Sequence, residues 1–134
     1  MSAFYDTNIL VYAQEASAKG RRARSLFAEG GKLSVQVLNE FTAVLRRKQE
    51  KHWPEIGEAI ADVLELVDPP LALTFEVHQS ARALAEAHGL SFYDALIVAS
   101  AIAAGCDVLY SEDLQHGRTI GRLAVVNPFL ESAS

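Results

Sequence analysis

The strongest constraint on this chain is its start. Ser2-Ala3-Phe4-Tyr5 is a short apolar run that ends in Asp6 and passes at once, through Thr7 and Asn8, into an amphipathic stretch. Ala3, Phe4 and Tyr5 show no period-two alternation, so a strand here must be covered on both faces. Parallel sheets flanked by helices meet that requirement, and they bind ligands outside the carboxyl ends of their strands, where Asp6 would sit. Asp6 or Thr7 also suits the cap of the helix that follows, a plainer role that stays open.

The remaining pattern alternates helix and strand. Residues 8–14 read as a short helix carrying Ile9, Leu10, Val11 and Tyr12, Lys19-Gly20 as a loop, and 21–28 as a second helix stopped by Gly30-Gly31. Residues 32–35 read as a strand, and Val37, Leu38, Phe41, Val44 and Leu45 recur at helical spacing over 36–51. Pro54 suits the first turn of a helix that runs to Val67 and stops at Asp68-Pro69-Pro70. Residues 71–73 are strand-like, Thr74 caps a helix over 75–88, and Ser91 opens one over 92–104. That last helix is apolar nearly all round, through Ile102 and Ala103, and should be buried. Residues 106–110 form a strand, 111–117 a polar loop, 123–126 a last strand and Asn127-Pro128 a turn. The order implies a parallel sheet with helices on both faces.

A length of 134 residues fits one domain that buries roughly two thirds of its unfolded surface. The net charge of −5 argues against a nucleic-acid binder that works by bulk charge, since phosphates are met by Lys and Arg. A local basic face remains available, either Arg21, Arg22 and Arg24 or Arg46, Arg47 and Lys48. The single cysteine, Cys106, reads as a packed thiol in a reducing compartment. Neither a signal peptide nor an apolar run of ~18 residues is present, so a cytoplasmic protein without membrane contact is expected.

The acids carry the chemistry. Asp94 is the one carboxylate in a helix otherwise made for the core, and Ser91 with Asp94 also fits a capping box. Glu40 flanks the apolar stripe of its helix, with Gln36, Val37, Ala43 and Val44 as helical neighbours, so no ion pair within the helix explains it. Glu112 and Asp113 directly follow a strand, although a loop acid is commonly a turn residue. Asp6 and the 112–113 pair leave the same sheet edge, and Asp94 and Glu40 lie near helix starts that point at it. Two bare carboxylates ~4 Å apart repel by roughly 4 kcal/mol at an effective dielectric of 20, so such a cluster takes up protons or a cation. Oxygen ligands without His or Cys select Mg²⁺ or Mn²⁺, and the implied reaction class is metal-assisted phosphodiester hydrolysis.

Tyr5-Asp6-Thr7-Asn8, Asn39-Glu40-Phe41, Ser91-Phe92-Tyr93-Asp94-Ala95 and Ser111-Glu112-Asp113-Leu114-Gln115, in that order, resemble the PIN-domain ribonucleases, most of all the VapC-type toxins of toxin–antitoxin pairs. The resemblance reaches the ending Val126-Asn127-Pro128-Phe129. It implies an α/β/α sandwich with a central parallel sheet of four or five strands, the first one central. It also implies Mg²⁺ or Mn²⁺ bound by Asp6, Asp94, Glu40 and Asp113, with Glu112 able to share or replace the role of Asp113. Ser111 matches the Ser/Thr beside the fourth acid, and Asn8 and Thr7 support Asp6. The implied substrate is RNA, the implied partners a small antitoxin and a second copy of the chain. An external inhibitor is also expected because no inhibitory segment accompanies the nuclease pattern. A haloacid-type phosphatase would need a second acid two residues after Asp6, where Asn8 stands. A catalytically silent binding module would be favoured by loss of one of the four acids, and all four are present. His52, His78, His88 and His116 are scattered, and His116 reads as a solvated loop residue. Phe92 and Tyr93 read as core rather than as a base-stacking platform.

Overall fold

The computed structural model describes residues 2–130. Strand β1 (Ala3–Tyr5) leads into helices α1 (Thr7–Tyr12), α2 (Ala18–Ala28), α3 (Val35–Arg47), α4 (Trp53–Leu64), α5 (Phe75–His88) and α6 (Phe92–Ala103), followed by strands β2 (Val108–Tyr110), β3 (Thr119–Ile120) and β4 (Leu123–Val126). The four strands lie in the order β1-β2-β4-β3, with β1, β2 and β4 parallel. Phe4, Leu109 and Val125, on three neighbouring strands, are fully buried against Ile9, Leu10, Leu33, Val37 and Phe41. Covered strands explain the missing alternation in Ala3-Phe4-Tyr5.

The fold differs from the sequence reading at several points, and helices α3 and α4 end at Arg47 and Leu64, short of the expected 51 and Val67. The strands expected at 32–35 and 71–73 shrink to single bridges, Phe4 with Lys32 and Ser34 with Leu71. They still extend the sheet: Tyr5 N donates to Lys32 O and Lys32 N to Ala3 O, so β1 has backbone partners on both sides. The sheet is also mixed rather than wholly parallel, because β3 returns antiparallel to β4 through a turn in which Gly121 takes a positive φ of 61°. Finally, α2 begins at Ala18 and absorbs the expected loop at Lys19-Gly20. Ser17 caps it by accepting from Gly20 N, and a Cβ on Gly20 would lie 2.0 Å from Glu15 O, so only glycine fits this entry to the helix.

Local signals elsewhere set the boundaries. Ser34, Thr74 and Ser91 accept hydrogen bonds from Val37 N, Val77 N and Asp94 N and start α3, α5 and α6. Helix α6 is buried from Ala95 to Ala101, where Val77 and Ala81 of α5 pack against Ala95, Leu96 and Ala99. Its expected apolar collar stops short, since Ile102 is exposed. Cys106 is a buried free thiol, as its surroundings suggest. Among the described residues no helix is long and apolar enough to cross a membrane.

Candidate active site

The carboxyl ends of β1 and β2 deliver Asp6 and Ser111-Glu112-Asp113 to one edge, and α3 and α6 bring Glu40 and Asp94 to it. Asp6, Thr7, Asn8, Tyr12, Glu40, Lys48, Asp94, Glu112 and Asp113 line a single cleft of about 360 Å³ there. Every acid singled out from the sequence is therefore in one place. A larger groove of about 540 Å³ beside Tyr5 and Tyr110 shows no such convergence. Its Lys32 and Asp68 pair with each other at 2.8 Å, and Asp107 accepts from Ser2 N.

Asp6 is the centre of the arrangement. It is 3% exposed and both caps α1 and faces the cleft, so its two candidate roles coincide. Oδ1 accepts from Thr7 N at 2.7 Å, and Oδ2 accepts from Ser111 Oγ at 2.6 Å and Asn8 Nδ2 at 3.2 Å. No cation answers its charge among the described residues. Burial above all pushes its pKa up to about 6, with the charges of Asp94 and Glu40 adding to the rise and the Ser111 and Thr7 bonds opposing it. Glu40 is half-buried and held by Gln36 Nε2 at 2.9 Å and Thr7 Oγ1 at 3.3 Å. Burial raises its pKa too, against those two bonds, and the charges of Asp94 and Asp113 push the same way. The capping box expected at α6 forms only in part: Asp94 N donates to Ser91 Oγ, while among the described residues the Asp94 carboxylate has no hydrogen bond and faces the cleft.

Glu112 and Asp113, equivalent in the sequence, are separated by the fold. Glu112 accepts from Tyr12 OH and from Lys19 Nζ. Burial alone would raise its pKa, but those two partners outweigh it and hold the carboxyl below its ordinary value. Asp113 is exposed and receives Asn8 Nδ2 at 3.1 Å. Asn8 is thus a brace: its amide nitrogen joins Asp6 to Asp113, and its Oδ1 accepts from Glu112 N.

The basic residues also sort themselves. Arg24 donates to Ala13 O and Glu15 O, Arg22 to Pro128 O, and Arg46 to Lys51 O while lying over the Trp53 ring. Lys48 lines the acidic cleft and Arg47 an adjoining groove, so among the described residues the end of α3 presents cations at the site beside the Lys19 that Glu112 engages. His116 is not simply solvated, since its Nδ1 accepts from Asn127 N and ties the acidic loop to the chain's final turn. Tyr93 is not core: it is 63% exposed. Lys48 belongs to one of the two basic faces that the sequence offers, whereas Tyr12 escaped the sequence reading as a cleft residue, although it follows Asn8 by four positions on one helical face.

The donor set is all oxygen and amide, without His or Cys, and suits a hard divalent cation. Among the described residues no three His, Cys, Asp or Glu side chains form a ready-made cage. Mg²⁺ does not require one, since it keeps several waters and takes one or two carboxylates.

A family model described as PIN domain matches residues 3–121. No curated protein matches the sequence. Solved structures do. The toxin VapC20 of Mycobacterium tuberculosis, described as cleaving the sarcin-ricin loop, superposes with a TM-score of 0.69 at 24% identity, covering 84% of this chain and 90% of that one. VapBC2 of Rickettsia felis, solved with a DNA fragment of its promoter, gives 0.69 at 20% identity over 93% and 97% of the two chains. A toxin–antitoxin complex from Klebsiella pneumoniae gives 0.72 at 19% identity over 96% and 98%.

Proposed function

We propose, from the premise that the chain belongs to the PIN domain family, that it is a metal-dependent endoribonuclease and the toxin of a toxin–antitoxin pair. One observation carries the nuclease reading: Asp6, Glu40, Asp94 and Asp113 line one cleft, with Asp6 buried and its charge uncompensated by any described cation. Asp6 and Asp94, with Glu40 or Asp113, would hold Mg²⁺ or Mn²⁺, and water would complete the coordination. Such an ion, when bound, supplies Lewis acidity and a water of lowered pKa.

The chain's own groups do the rest. Ser111, Thr7 and Asn8 fix the Asp6 carboxylate in one orientation, and Asn8 sets Asp113 against it. Gln36 and Thr7 hold the Glu40 carboxylate in place to take a proton from an attacking water. Lys48 at the cleft rim attracts the phosphate that the acids alone would repel. Mn²⁺ titrated into the wild type should bind, and into Asp6→Asn should not; equal affinity would sink the site. Cleavage of structured RNA should disappear with EDTA and with Asp94→Asn.

The toxin reading is supported by the fold shared with proteins solved as toxin–antitoxin assemblies. The carboxylates of Asp6, Glu40 and Asp94, which no described cation pairs, also suit an Arg or Lys from a partner's tail, which would replace the metal by charge substitution. Expression of the chain alone should arrest growth, Asp6→Ala should abolish the arrest, and a small neighbouring gene should relieve it. Harmless accumulation would end the toxin reading while leaving the nuclease site. A homodimer is part of the same reading, and sedimentation tests it.

A further inference from the structure

We propose that α3 and the first turn of α6 form a groove for single-stranded RNA, in which Tyr93 stacks on a base and Arg47 holds a phosphate. The inference rests on the nuclease reading and extends it to how the strand is gripped. A groove of about 500 Å³ is lined by Gln36, Asn39, Glu40, Ala43, Arg47 and Tyr93. Glu40 also lines the acidic cleft, so the two spaces adjoin at this side chain. Positions 36, 40, 43 and 47 fall on one stripe of α3. Ala43 is exposed and small and leaves the floor open.

The walls carry complementary chemistry. Tyr93 precedes Asp94 and is 63% exposed, with Phe92 beside it at a 5.9 Å centroid distance and a 60° tilt. A large exposed ring next to a phosphodiester-cleaving cleft is a stacking surface for a base, and stacking tolerates any sequence. Only an unpaired strand can offer that base, which selects single-stranded RNA or a loop over a duplex. In the same groove, the Arg47 side chain has no hydrogen bond or ion pair among the described residues, whereas Arg22, Arg24 and Arg46 are committed to backbone carbonyls. A strand drawn toward four acids needs such a cation beside them.

Fluorescence anisotropy with a labelled single-stranded RNA of about 12 nucleotides and mixed sequence, within the usual span of such sites, tests this. The full chain carries Asp6→Asn as the parent, in Mg²⁺, to prevent hydrolysis. Tyr93→Ala should weaken binding roughly 5- to 100-fold, while Tyr93→Phe stays within about twofold of the parent because the ring is kept. Arg47→Ala should flatten the dependence of log K on log salt by about 0.7. An abasic nucleotide at the stacked position should weaken the parent and leave Tyr93→Ala unchanged. Parent-like binding by both alanine variants overturns the groove, as does a Tyr93→Ala change in sedimenting mass with RNA affinity intact, which would make the ring a contact between copies. Wild-type cleavage of RNA is scored separately. Cleavage with unaffected variants sinks the groove alone; neither cleavage nor binding sinks both.

Discussion

Replacing Asp6 by Asn should make the metal-free protein more stable at neutral pH, although it removes a residue bonded by three donors. Asp6 titrates near 6 in the fold against 3.8 for the free group. A raised carboxyl pKa means that the folded state binds the proton more tightly than the unfolded one. Its contribution is therefore neutral below pH 3.8, increasingly destabilising as pH rises from 3.8 to 6, and constant once the folded carboxyl is also ionised. About two units at 1.36 kcal/mol each give roughly 3 kcal/mol of destabilisation at pH 7.5. Asparagine removes the charge but puts an NH₂ where Oδ2 accepts from Ser111 and Asn8, which costs about 1 kcal/mol. The net expectation in EDTA at pH 7.5 is a gain of about 1 to 2 kcal/mol, or several degrees in Tm for a chain of this size. Below about pH 4 the order should reverse, because the wild-type carboxyl is then neutral too. Urea unfolding of both proteins across that range, each in EDTA, gives the two curves. A variant less stable than wild type at every pH, running parallel to it, would refute the claim that burial of an uncompensated charge defines this site. Mn²⁺ added at about 100 times its Kd should then stabilise only the wild type, by about 2.7 kcal/mol.

Glu112→Gln should leave Mn²⁺ affinity and cleavage within a few-fold of wild type, since Glu112 is committed to Lys19 and Tyr12, whereas Asp113→Asn should weaken both; calorimetry and RNA cleavage rates decide between them. Ser111→Ala removes a buried donor to Asp6 and the acceptor of Leu114 N. It should cost about 1.5 to 3 kcal/mol and move the acidic limb of the cleavage pH profile upward, because the bond it deletes lowers the Asp6 pKa. Ser100→Ala should stabilise the protein by about 1 kcal/mol in thermal unfolding. Ser100 is 2% exposed, and among the described residues its Oγ is buried without a hydrogen-bond partner.

Much of this protein is written in short-range signals that need no tertiary context. The unalternating Ala3-Phe4-Tyr5 run, the caps at Ser34, Thr74 and Ser91 and the apolar Ala95–Ala101 stretch each act within a few residues. Acids placed directly after strands or in first helical turns reach one sheet edge because a parallel sheet aligns those ends. The choice between Glu112 and Asp113 could not be made that way. It depends on Tyr12 and Lys19, about a hundred positions earlier, arriving beside one of them and not the other. The same holds for the cations: Arg22, Arg24 and Arg46 look as free as Arg47 in the chain, and only packing supplies the carbonyls that engage them. Tyr93 reads as core because aromatic residues usually are, yet its place at the start of α6 turns it outward beside Asp94. Residues 32–35 and 71–73 have strand composition, but the first finds only two isolated bridges, Lys32 to Phe4 and Ser34 to Leu71, and the second only the latter. Propensity and capping are properties of neighbours in sequence, while partnership between distant side chains is set by register and packing, which only the folded chain specifies.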